Sequence, residues 1–522
     1  MEATTVVETG PVRPAAGEPD LKHGAIGFLS NLVIGTASVA PAYSLAATLG
    51  FVVAVGGIGV FSPGAMIAAF VPMLLIAMAY RQLNKADPDA GTSFAWGTRA
   101  LGPYVGWMNG WAIFAADVIV MASLADIAAV YTYQLFGWNY GETHLWVQIV
   151  GAVVWIVLMT WICWRGIELS ARVQQLLLSY EIIMLLVFAA VAFAKVAAGS
   201  APHSISFHIS WLNPFGGGLT PLVGGVLLAV FIYWGWDSGV SVNEETRNSR
   251  TAPGAAAVIS TLLLLVIYVV VTSGAQAYAG TTFLVNHPND VLTPLGKGVL
   301  GSVGYRLLVI AILTSAAAST QTTVLPTART TLSMARWRAI PKKIGEIHPR
   351  YLTPTVSTLG MGAISIVWTV LILALDPSGN VLGDAITALG FMICFYYGLT
   401  GFACVVYFRK RLFRSVKEFL LVGLCPLVGA LMLTAIFVKA FIQDSKSGVN
   451  FSPPILGIQT PIFIGIGGLI LGVIVMLFFI PSHRAFFRRK PELPGPDGYA
   501  IGGTITPEDE EAAVAAGTHS VP

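Results

Sequence analysis

The chain has 522 residues, of which 55% are hydrophobic and only 11% are charged, and its formal net charge is +3. Soluble domains carry about 25% charged residues, and long apolar stretches indicate membrane spans. The composition therefore excludes an ordinary soluble globular protein, and the small net charge gives no indication of a nucleic-acid partner.

Apolar stretches of about 20 residues, the length that crosses a lipid bilayer, recur along the chain. Twelve such stretches are predicted, at roughly 24–49, 57–80, 104–134, 145–164, 171–196, 219–242, 253–279, 303–332, 353–375, 382–408, 417–441 and 460–480. We therefore predict an all-α membrane protein with about twelve transmembrane helices.

The basic residues predict the orientation of these spans. Lys and Arg are enriched in cytoplasmic loops. If the N-terminus is inside, all but five of the 29 Lys and Arg residues fall on the cytoplasmic side. The five exceptions are Lys195, Lys297, Arg306, Lys439 and Lys446. We expect a multi-pass protein of the plasma membrane with both termini in the cytoplasm.

The two ends of the chain differ from its centre in composition. Residues 1–20 are polar and Pro-rich, unlike a cleavable signal peptide, and are predicted to be a disordered cytoplasmic tail. Residues 483–522 are predicted to be a second cytoplasmic tail, which leaves 21–482 as the membrane domain. The four cysteines lie in predicted spans without metal-ligand spacing, and we expect no cofactor.

The first and sixth spans are interrupted at matching places. The first contains Gly35 and Pro41, and the sixth contains Gly235 and Gly239. Hydrocarbon cannot satisfy free backbone groups, so an unwound span must line a cavity or pack against protein. Paired interruptions in two halves of a chain indicate the substrate site of an inverted-repeat transporter. The alternative is that Gly and Pro are simply frequent in membrane helices.

Three segments between the spans carry a family pattern. They are Asp89-Ala-Gly91 with Leu101-Gly-Pro103, Gly235-Trp-Asp237 with Glu244-Glu-Thr-Arg247, and Arg329 with Met334-Ala-Arg336, His348-Pro-Arg350 and Thr353-Pro354. In this order and spacing they resemble the amino acid–polyamine–organocation (APC) permeases. The resemblance covers about residues 24–480.

This resemblance implies the LeuT-type (APC) fold, a 5+5 inverted repeat with broken helices 1 and 6 and two further C-terminal helices. The first repeat would occupy 21–200, the second 219–408, and helices 11 and 12 would occupy 409–482. The chain departs from the family in span one. Family members commonly have Ile-Gly-Ser/Thr-Gly, whereas this chain has Ile34-Gly-Thr-Ala-Ser38, so the backbone shape at the break is expected to differ.

The resemblance also implies a ligand held mainly by the backbone of the two breaks. The implied binding residues are Ile34, Gly35, Thr36, Ala37, Ser38, Phe231, Trp234, Gly235 and Asp237. Phe231 matches the family's aromatic lid, and a ring can cover a ligand or attract a cation, although either aromatic could equally be packing. Asp237 could bind a ligand or cap the following half-helix.

Ionisable groups inside a membrane are costly and are therefore candidates for function. Asp117 lies near the middle of span three, where the resemblance places a residue that lines the substrate pocket. It could recognise an additional cationic amine, carry a proton, or make a structural hydrogen bond. Asp126 is nine residues further on the opposite helix face, so both cannot face one cavity, and we assign it no role.

Glu181 in span five stands where family members often have a membrane-embedded Lys after the Arg172-Val-Gln174 start. Burial disfavours its charged form, so it could load and release a proton. Thr314, Ser315 and Ser319 of span eight offer hydroxyl oxygens, so Na⁺ held with Glu181 is an alternative. The hydroxyls could also only bond their own helix.

We interpret the chain as a secondary-active, proton-coupled permease for amino acids or polyamines, with H⁺ preferred to Na⁺ as the partner ion. It would favour substrates with an extra cationic amine and act by alternating access in the lipid bilayer. One alternative is a Na⁺-coupled or exchanging transporter of neutral amino acids. Another is a transporter-like sensor that binds ligand without moving it. An enzyme is not indicated, because the sequence offers no set of nucleophile, base and orienting residue.

Overall fold

The structure is a computed structural model that describes residues 19–288, 290–375, 380–446, 448 and 450–491. The predictions for residues 1–18 and 492–522 lie outside these ranges. Within the described part, eleven helices are long and apolar enough to cross a membrane, and the shorter helix Leu219–Ile232 is also apolar. The prediction of an all-α membrane protein is confirmed.

Eighteen α-helices follow one another in the described ranges. They are α1 Phe28–Val39, α2 Pro41–Ala54, α3 Ser62–Ala86, α4 Ser93–Leu101, α5 Pro103–Phe136, α6 Asn139–Thr143, α7 Leu145–Arg165, α8 Ile167–Ala197, α9 Leu219–Ile232, α10 Ser238–Ser241, α11 Ala252–Val285, α12 Leu292–Arg336, α13 Thr355–Leu375, α14 Asn380–Tyr407, α15 Val416–Glu418, α16 Cys425–Asp444, α17 Thr460–Phe479 and α18 Arg484–Phe487.

The predicted spans differ from these helices mainly where the chain bends. Span one is divided into α1 and α2 at Ala40, and span six is divided into α9 and the short α10. Residues 292–302, which precede the predicted start of span eight, belong with that span to the single helix α12, with non-helical backbone at Gly301. Gly tolerates the positive φ of 72° at that bend, so the two parts can meet without a loop.

Both ends of the described chain meet at one end of the bundle, which we call the tail side. Phe486 of α18 stacks on Phe94 of α4, and Phe94 also packs edge-on against Trp337, just after α12. Asp20 contacts Arg336 at 2.5 Å. Aromatic packing and an ion pair therefore join both terminal segments to α4 and α12.

Buried ion pairs continue this closure of the tail side. Arg99 Nε donates to Asp87 at 2.7 Å, and both side chains are fully buried. Arg329 of α12 donates from two nitrogens to both oxygens of Glu245, each at 3.0 Å, and this pair is also fully buried. A bidentate Arg–carboxylate pair fixes the relative orientation of the two groups as well as neutralising their charges. The segment after α10 is thereby held against α12.

Candidate functional site

The break in span one lies at Ala40, which takes a left-handed φ of 50° between α1 and α2. Pro41 begins α2, a position where its missing N–H leaves nothing unsatisfied. The carbonyls before the break find side-chain donors: Ser319 Oγ donates to Ser38 at 2.8 Å, and Ser44 Oγ donates to Val39 at 2.7 Å. Hydroxyl groups therefore stand in for the helical hydrogen bonds that the break removes.

The break in span six packs directly against the break in span one. Gly235 has a φ of 119°, and a Cβ there would lie 2.8 Å from the Ser38 carbonyl carbon. The hydroxyls of Ser38 and Ser238 are 2.8 Å apart. Gly35 approaches just as closely, because a Cβ on it would lie 2.9 Å from the Trp236 carbonyl oxygen. Small residues at both breaks thus allow backbone to meet backbone.

A small central cavity of about 20 Å³ lies beside the paired breaks. That volume has room for a single water molecule, so the cavity must expand to admit a larger ligand. Its lining comes from both breaks and from α2, α5, α12 and α14. The lining residues are Ser38, Val39, Tyr43, Ser44, Ile113, Asp117, Val120, Leu124, Phe231, Trp234, Gly235, Asp237, Ser238, Ser319, Thr323, Pro326 and Tyr396.

Seven of the residues singled out in the sequence line this cavity. They are Ser38, Asp117, Phe231, Trp234, Gly235, Asp237 and Ser319. Ile34, Gly35, Thr36 and Ala37 do not line it. These four belong to α1, which remains helical as far as Val39. The break follows them because Ala40 and Pro41, rather than the glycine, end the helix.

Asp237 is held by two tyrosines that the sequence analysis missed. Tyr397 donates to Oδ1 at 2.8 Å and Tyr396 donates to Oδ2 at 3.1 Å, while Trp234 Nε1 donates to Tyr396 at 2.5 Å. The carboxylate accepts no hydrogen bond as the cap of α10. The adjacent tyrosines in an otherwise apolar span are the signal that could have found this cluster, because buried tyrosine hydroxyls need partners.

Asp117 reaches the same cavity from α5. Its carboxylate accepts a hydrogen bond from Thr327 of α12, and the residue is 3% exposed. Among the described residues that line the cavity, none is Lys, Arg or His. Two carboxylates therefore face one cavity whose protein walls supply no compensating cation.

Glu181 lies outside the cavity and caps the second half of span one. Its Oε1 accepts from the backbone N–H of Ala42 and from Ser315 Oγ, both at 2.7 Å. Ser315 Oγ also accepts from the N–H of Tyr43 at 3.2 Å. The side chain is fully buried, and Oε2 has no hydrogen-bond partner within the described residues. A buried carboxyl group thus sits at the positive end of α2.

The three hydroxyl residues of span eight have different surroundings. Ser315 and Ser319 reach across to α2 and to the Ser38 carbonyl, as described above. Thr314 donates to the Ala311 carbonyl of its own helix at 3.0 Å. Asp126 does not line the cavity, and its Oδ1 is buried without a hydrogen-bond partner in the described part of the chain.

Comparison with known proteins agrees with this architecture. Residues 24–466 match the model of a family described as amino acid permease. The low-affinity putrescine importer PlaP of Escherichia coli (strain K12) is 22% identical, over 72% of this chain and 80% of that protein. The branched-chain amino acid permease BcaP of Bacillus subtilis is 25% identical, over 68% of this chain and 76% of that protein.

The fold also matches that of a solved transporter. The crystal structure of MhsT in complex with L-phenylalanine superposes with a TM-score of 0.56 and 14% identity, over 78% of this chain and 98% of that chain. Its likeness supports the LeuT-type fold that the family resemblance implies. The family match, which extends over most of the chain, shows that this chain belongs to the amino acid permease family.

Proposed function

We propose that this permease takes up a substrate with a cationic amine, either a polyamine or a basic amino acid, by secondary-active transport. The observation that carries the proposal is the pair of carboxylates, Asp117 and Asp237, at one cavity without a basic lining residue. Buried charges are stable only when paired. An ammonium group of the substrate would provide the missing partner.

The other walls of the cavity suit the same ligand. Phe231 and Trp234 lie with ring centroids 6.5 Å apart and both line the cavity. Aromatic faces attract an ammonium group and cover an alkyl chain. Hydroxyls of Ser38 and Ser238 offer acceptors at the breaks, where the backbone can also bind an amino acid. The similarity to a putrescine importer is in keeping with this substrate class.

A neutral amino acid is the second candidate, and the similarity to a branched-chain amino acid permease favours it. In that case the substrate would use the backbone at the breaks, and Asp117 would serve as a proton carrier or as a fixed hydrogen-bond acceptor for Thr327. The two candidates differ in what they require of Asp117, because only a cationic substrate needs its negative charge.

The substrate test is uptake of labelled compounds into proteoliposomes by wild type, Asp117→Asn and Asp126→Asn. The panel would contain putrescine, GABA and acidic, neutral and basic amino acids. We expect Asp117→Asn to weaken the apparent affinity for cationic substrates by roughly 30-fold or more, the cost of truncating one partner of a buried charge pair. Asp126→Asn serves as the control, since it removes a carboxylate from the same helix but away from the cavity.

Transport of neutral amino acids alone, with unchanged affinity in Asp117→Asn, would contradict the cationic-amine proposal. Saturable binding without accumulation or exchange in any gradient would instead indicate a sensor that does not transport. Both results can be read from the same vesicles, because binding and uptake are measured with one labelled ligand.

We propose H⁺ as the coupling ion, carried by Glu181. Burial disfavours the ionised carboxylate, whereas the positive end of α2 and the two hydrogen bonds that it accepts favour it, so the two forms are in balance. Protonation would remove that charge and weaken its hold on Ala42, leaving α2 freer to move. A proton bound at Glu181 would thus be linked to the position of the half-helix beside the substrate cavity.

The coupling test imposes a pH gradient and a Na⁺ gradient separately. We expect acid outside to stimulate wild type, and Glu181→Gln to retain exchange but lose accumulation. The glutamine side chain can still accept from Ala42, so it keeps the cap while losing the proton. Stimulation by Na⁺ alone, abolished in Thr314→Ala or Ser315→Ala, would assign coupling to sodium instead.

We further propose that the tail side faces the cytoplasm of a plasma-membrane protein. Lys and Arg are strongly enriched in the two tails and in the loops that follow the even-numbered spans, and this enrichment supports the orientation. Substrate would enter from the opposite side and leave once the tail-side ion pairs separate. Single cysteines introduced at exposed tail-side positions should react with an impermeant thiol reagent only after the cells are opened, and labelling of intact cells would contradict the orientation.

A further inference from the structure

A second and much larger pocket opens on the tail side, away from the central cavity. Its volume is about 380 Å³. It lies between the junction of α7 and α8, the segment before α1, and the loop that joins α12 to α13. No step of the proposed transport cycle uses it.

This pocket is strongly basic. Lys22, Arg165, Arg172 and Arg350 line it, whereas Glu168 is the one acidic residue in its described lining. Lys22 Nζ contacts Glu168 at 2.8 Å, so the single acid is already matched by the single lysine. Glu168 also interacts electrostatically with Arg172, so the described lining sets four cationic side chains against one carboxylate. Such a cluster suits an anion, and guanidinium groups suit phosphate in particular.

Tyr351 holds two of these guanidinium groups in place. Arg165 Nη1 donates to the Tyr351 hydroxyl at 2.9 Å and its guanidinium lies 5.1 Å from the ring centroid. The Arg350 guanidinium lies 5.7 Å from the same ring. Cation–ring contacts leave the N–H groups at the guanidinium edges able to donate. The ring therefore orders the cationic wall without neutralising it.

The surface next to this pocket is apolar. Leu169 lines the pocket and is 42% exposed, and Trp161, one turn before Arg165 on α7, is 46% exposed. The Arg165 guanidinium also lies 5.2 Å from the Trp161 ring. Trp is enriched at the level of the lipid headgroups. Exposed apolar residues on the spanning helices α7 and α8 thus adjoin the basic pocket at the membrane boundary.

We propose that this basic pocket binds the phosphate group of an anionic phospholipid from the leaflet on the tail side. The phosphate would lie among Arg165, Arg172 and Arg350, and the acyl chains would follow the apolar faces of α7 and α8. A soluble phosphate ester shares the headgroup chemistry but makes no use of the apolar surface. Basic pockets beside spanning helices are suited to anionic lipid headgroups. Since Lys22 belongs to the segment before α1, the bound lipid would stabilise the tail side.

The test measures binding of short-chain phosphatidylglycerol to the purified full-length protein in neutral detergent. We expect saturable binding to wild type and affinity lower by roughly 30-fold in Arg172→Gln/Arg350→Gln, from the loss of two basic groups near a charged headgroup. Arg414→Gln/Lys417→Gln is the matched control, because it removes two exposed positive charges from the tail side outside the pocket, and its affinity should equal that of wild type.

Three results would overturn the proposal. The first is that short-chain phosphatidylcholine binds as tightly as phosphatidylglycerol. The second is that the control variant loses as much affinity as the double variant of the pocket. The third is that millimolar inorganic phosphate or glycerol phosphate displaces the lipid as effectively as phosphatidylglycerol does. The last result would assign the pocket to a soluble phosphate ester. Should the double variant not fold, Arg350→Gln alone, on an exposed loop, gives the same comparison with a smaller expected loss. The lipid-binding measurement does not depend on putrescine uptake, so its outcome is independent of the proposed function.

Discussion

Buried carboxylates occur both at the tail side and at the centre of the bundle, but their partners differ. At the tail side two of them are matched by guanidinium groups, Asp87 by Arg99 and Glu245 by Arg329, whereas Asp89 accepts from Ser333 and Trp337. At the centre, Asp117 and Asp237 accept from threonine and tyrosine hydroxyls. Buried carboxylates therefore form ion pairs that close the tail side, whereas the two at the centre have no cationic partner in the cavity wall.

These partners separate the acids that stabilise the fold from the acids that are available to a ligand. A carboxylate paired with Arg is neutralised within the protein, and breaking the pair leaves a buried charge. A carboxylate held only by uncharged donors keeps its orientation but can still take a cation or a proton. Glu181, held by a backbone N–H and a serine, is of this second kind.

Breaking a tail-side pair should destabilise the protein more than any other change considered below. Glu245→Gln leaves Arg329 buried without its opposite charge, and we expect a loss of about 3–5 kcal/mol in the free energy of unfolding. Thermal or denaturant unfolding in detergent measures it. The double variant Glu245→Gln/Arg329→Gln should regain part of the loss, because it removes the uncompensated charge.

Lys22→Gln is the control for that experiment. It breaks an ion pair whose side chains are 50% and 46% exposed, and exposed pairs contribute about 0–1 kcal/mol. If Glu245→Gln were no more destabilising than Lys22→Gln, the buried pairs would not be what closes the tail side.

A smaller effect is expected when a central carboxylate loses a hydroxyl donor. Tyr397→Phe removes the hydrogen bond to Asp237 Oδ1, and a bond to a charged group contributes about 1.5–3 kcal/mol. Tyr407→Phe is the matched control on the same helix, since its buried hydroxyl has no hydrogen-bond partner in the described residues. Equal unfolding midpoints for the two variants would contradict the role of Tyr397.

The broken spans and several central residues could be predicted from sequence because their signals are local. Pro41 restricts the range of backbone conformations and Gly235 widens it, so the positions of these two residues mark the breaks directly. Asp117 was identified by its depth in a span and by the family resemblance. These predictions needed no knowledge of which helices touch, and the cavity lining includes Asp117 and Gly235.

Other features depend on contacts between distant segments and could not be read from sequence. Tyr396 and Tyr397 meet Asp237 across 159 and 160 positions of the chain. Ala40 takes a left-handed conformation that its residue type disfavours, so the packing of the two breaks must stabilise that conformation. The same reason accounts for Ile34 to Ala37, which were expected to surround the ligand but remain inside α1.

The hydroxyl contact between the breaks should contribute less than the tyrosine bond, because neither partner is charged. Ser38→Ala removes the 2.8 Å contact with Ser238, and we expect a loss of about 1 kcal/mol in the free energy of unfolding. Ser179→Ala, on an exposed residue that bonds its own helix at 2.7 Å, should cost less. A loss of several kcal/mol in Ser38→Ala would mean that the central hydroxyls stabilise the bundle as strongly as the tail-side ion pairs.

The smallest expected effect concerns the outer rim of the tail side, where charges are only partly buried. Hydrogen bonding to Asp20 raises the pKa of His23 above its usual 6.5 despite burial, and contact with the Glu244 carbonyl adds to this. Burial alone would raise the pKa of Asp20, but the hydrogen bond with His23 and the charge of Arg336 lower it to about 2.

These directions set the sign of the pH dependence. The contribution of His23 is fully present below pH 6.5 and is lost as the pH rises through its raised pKa. That of Asp20 is fully present above pH 3.8 and is lost as the pH falls toward about 2. Hydrogen exchange of residues 20–27, corrected for intrinsic rates, should therefore be faster at pH 8 than at pH 6, by less than about 1 kcal/mol in opening free energy. His23→Gln should abolish that difference. A variant with unchanged pH dependence would show that Asp20 and Arg336 hold the segment without the histidine, so that the guanidinium pairing found deeper in the tail side would extend to its rim.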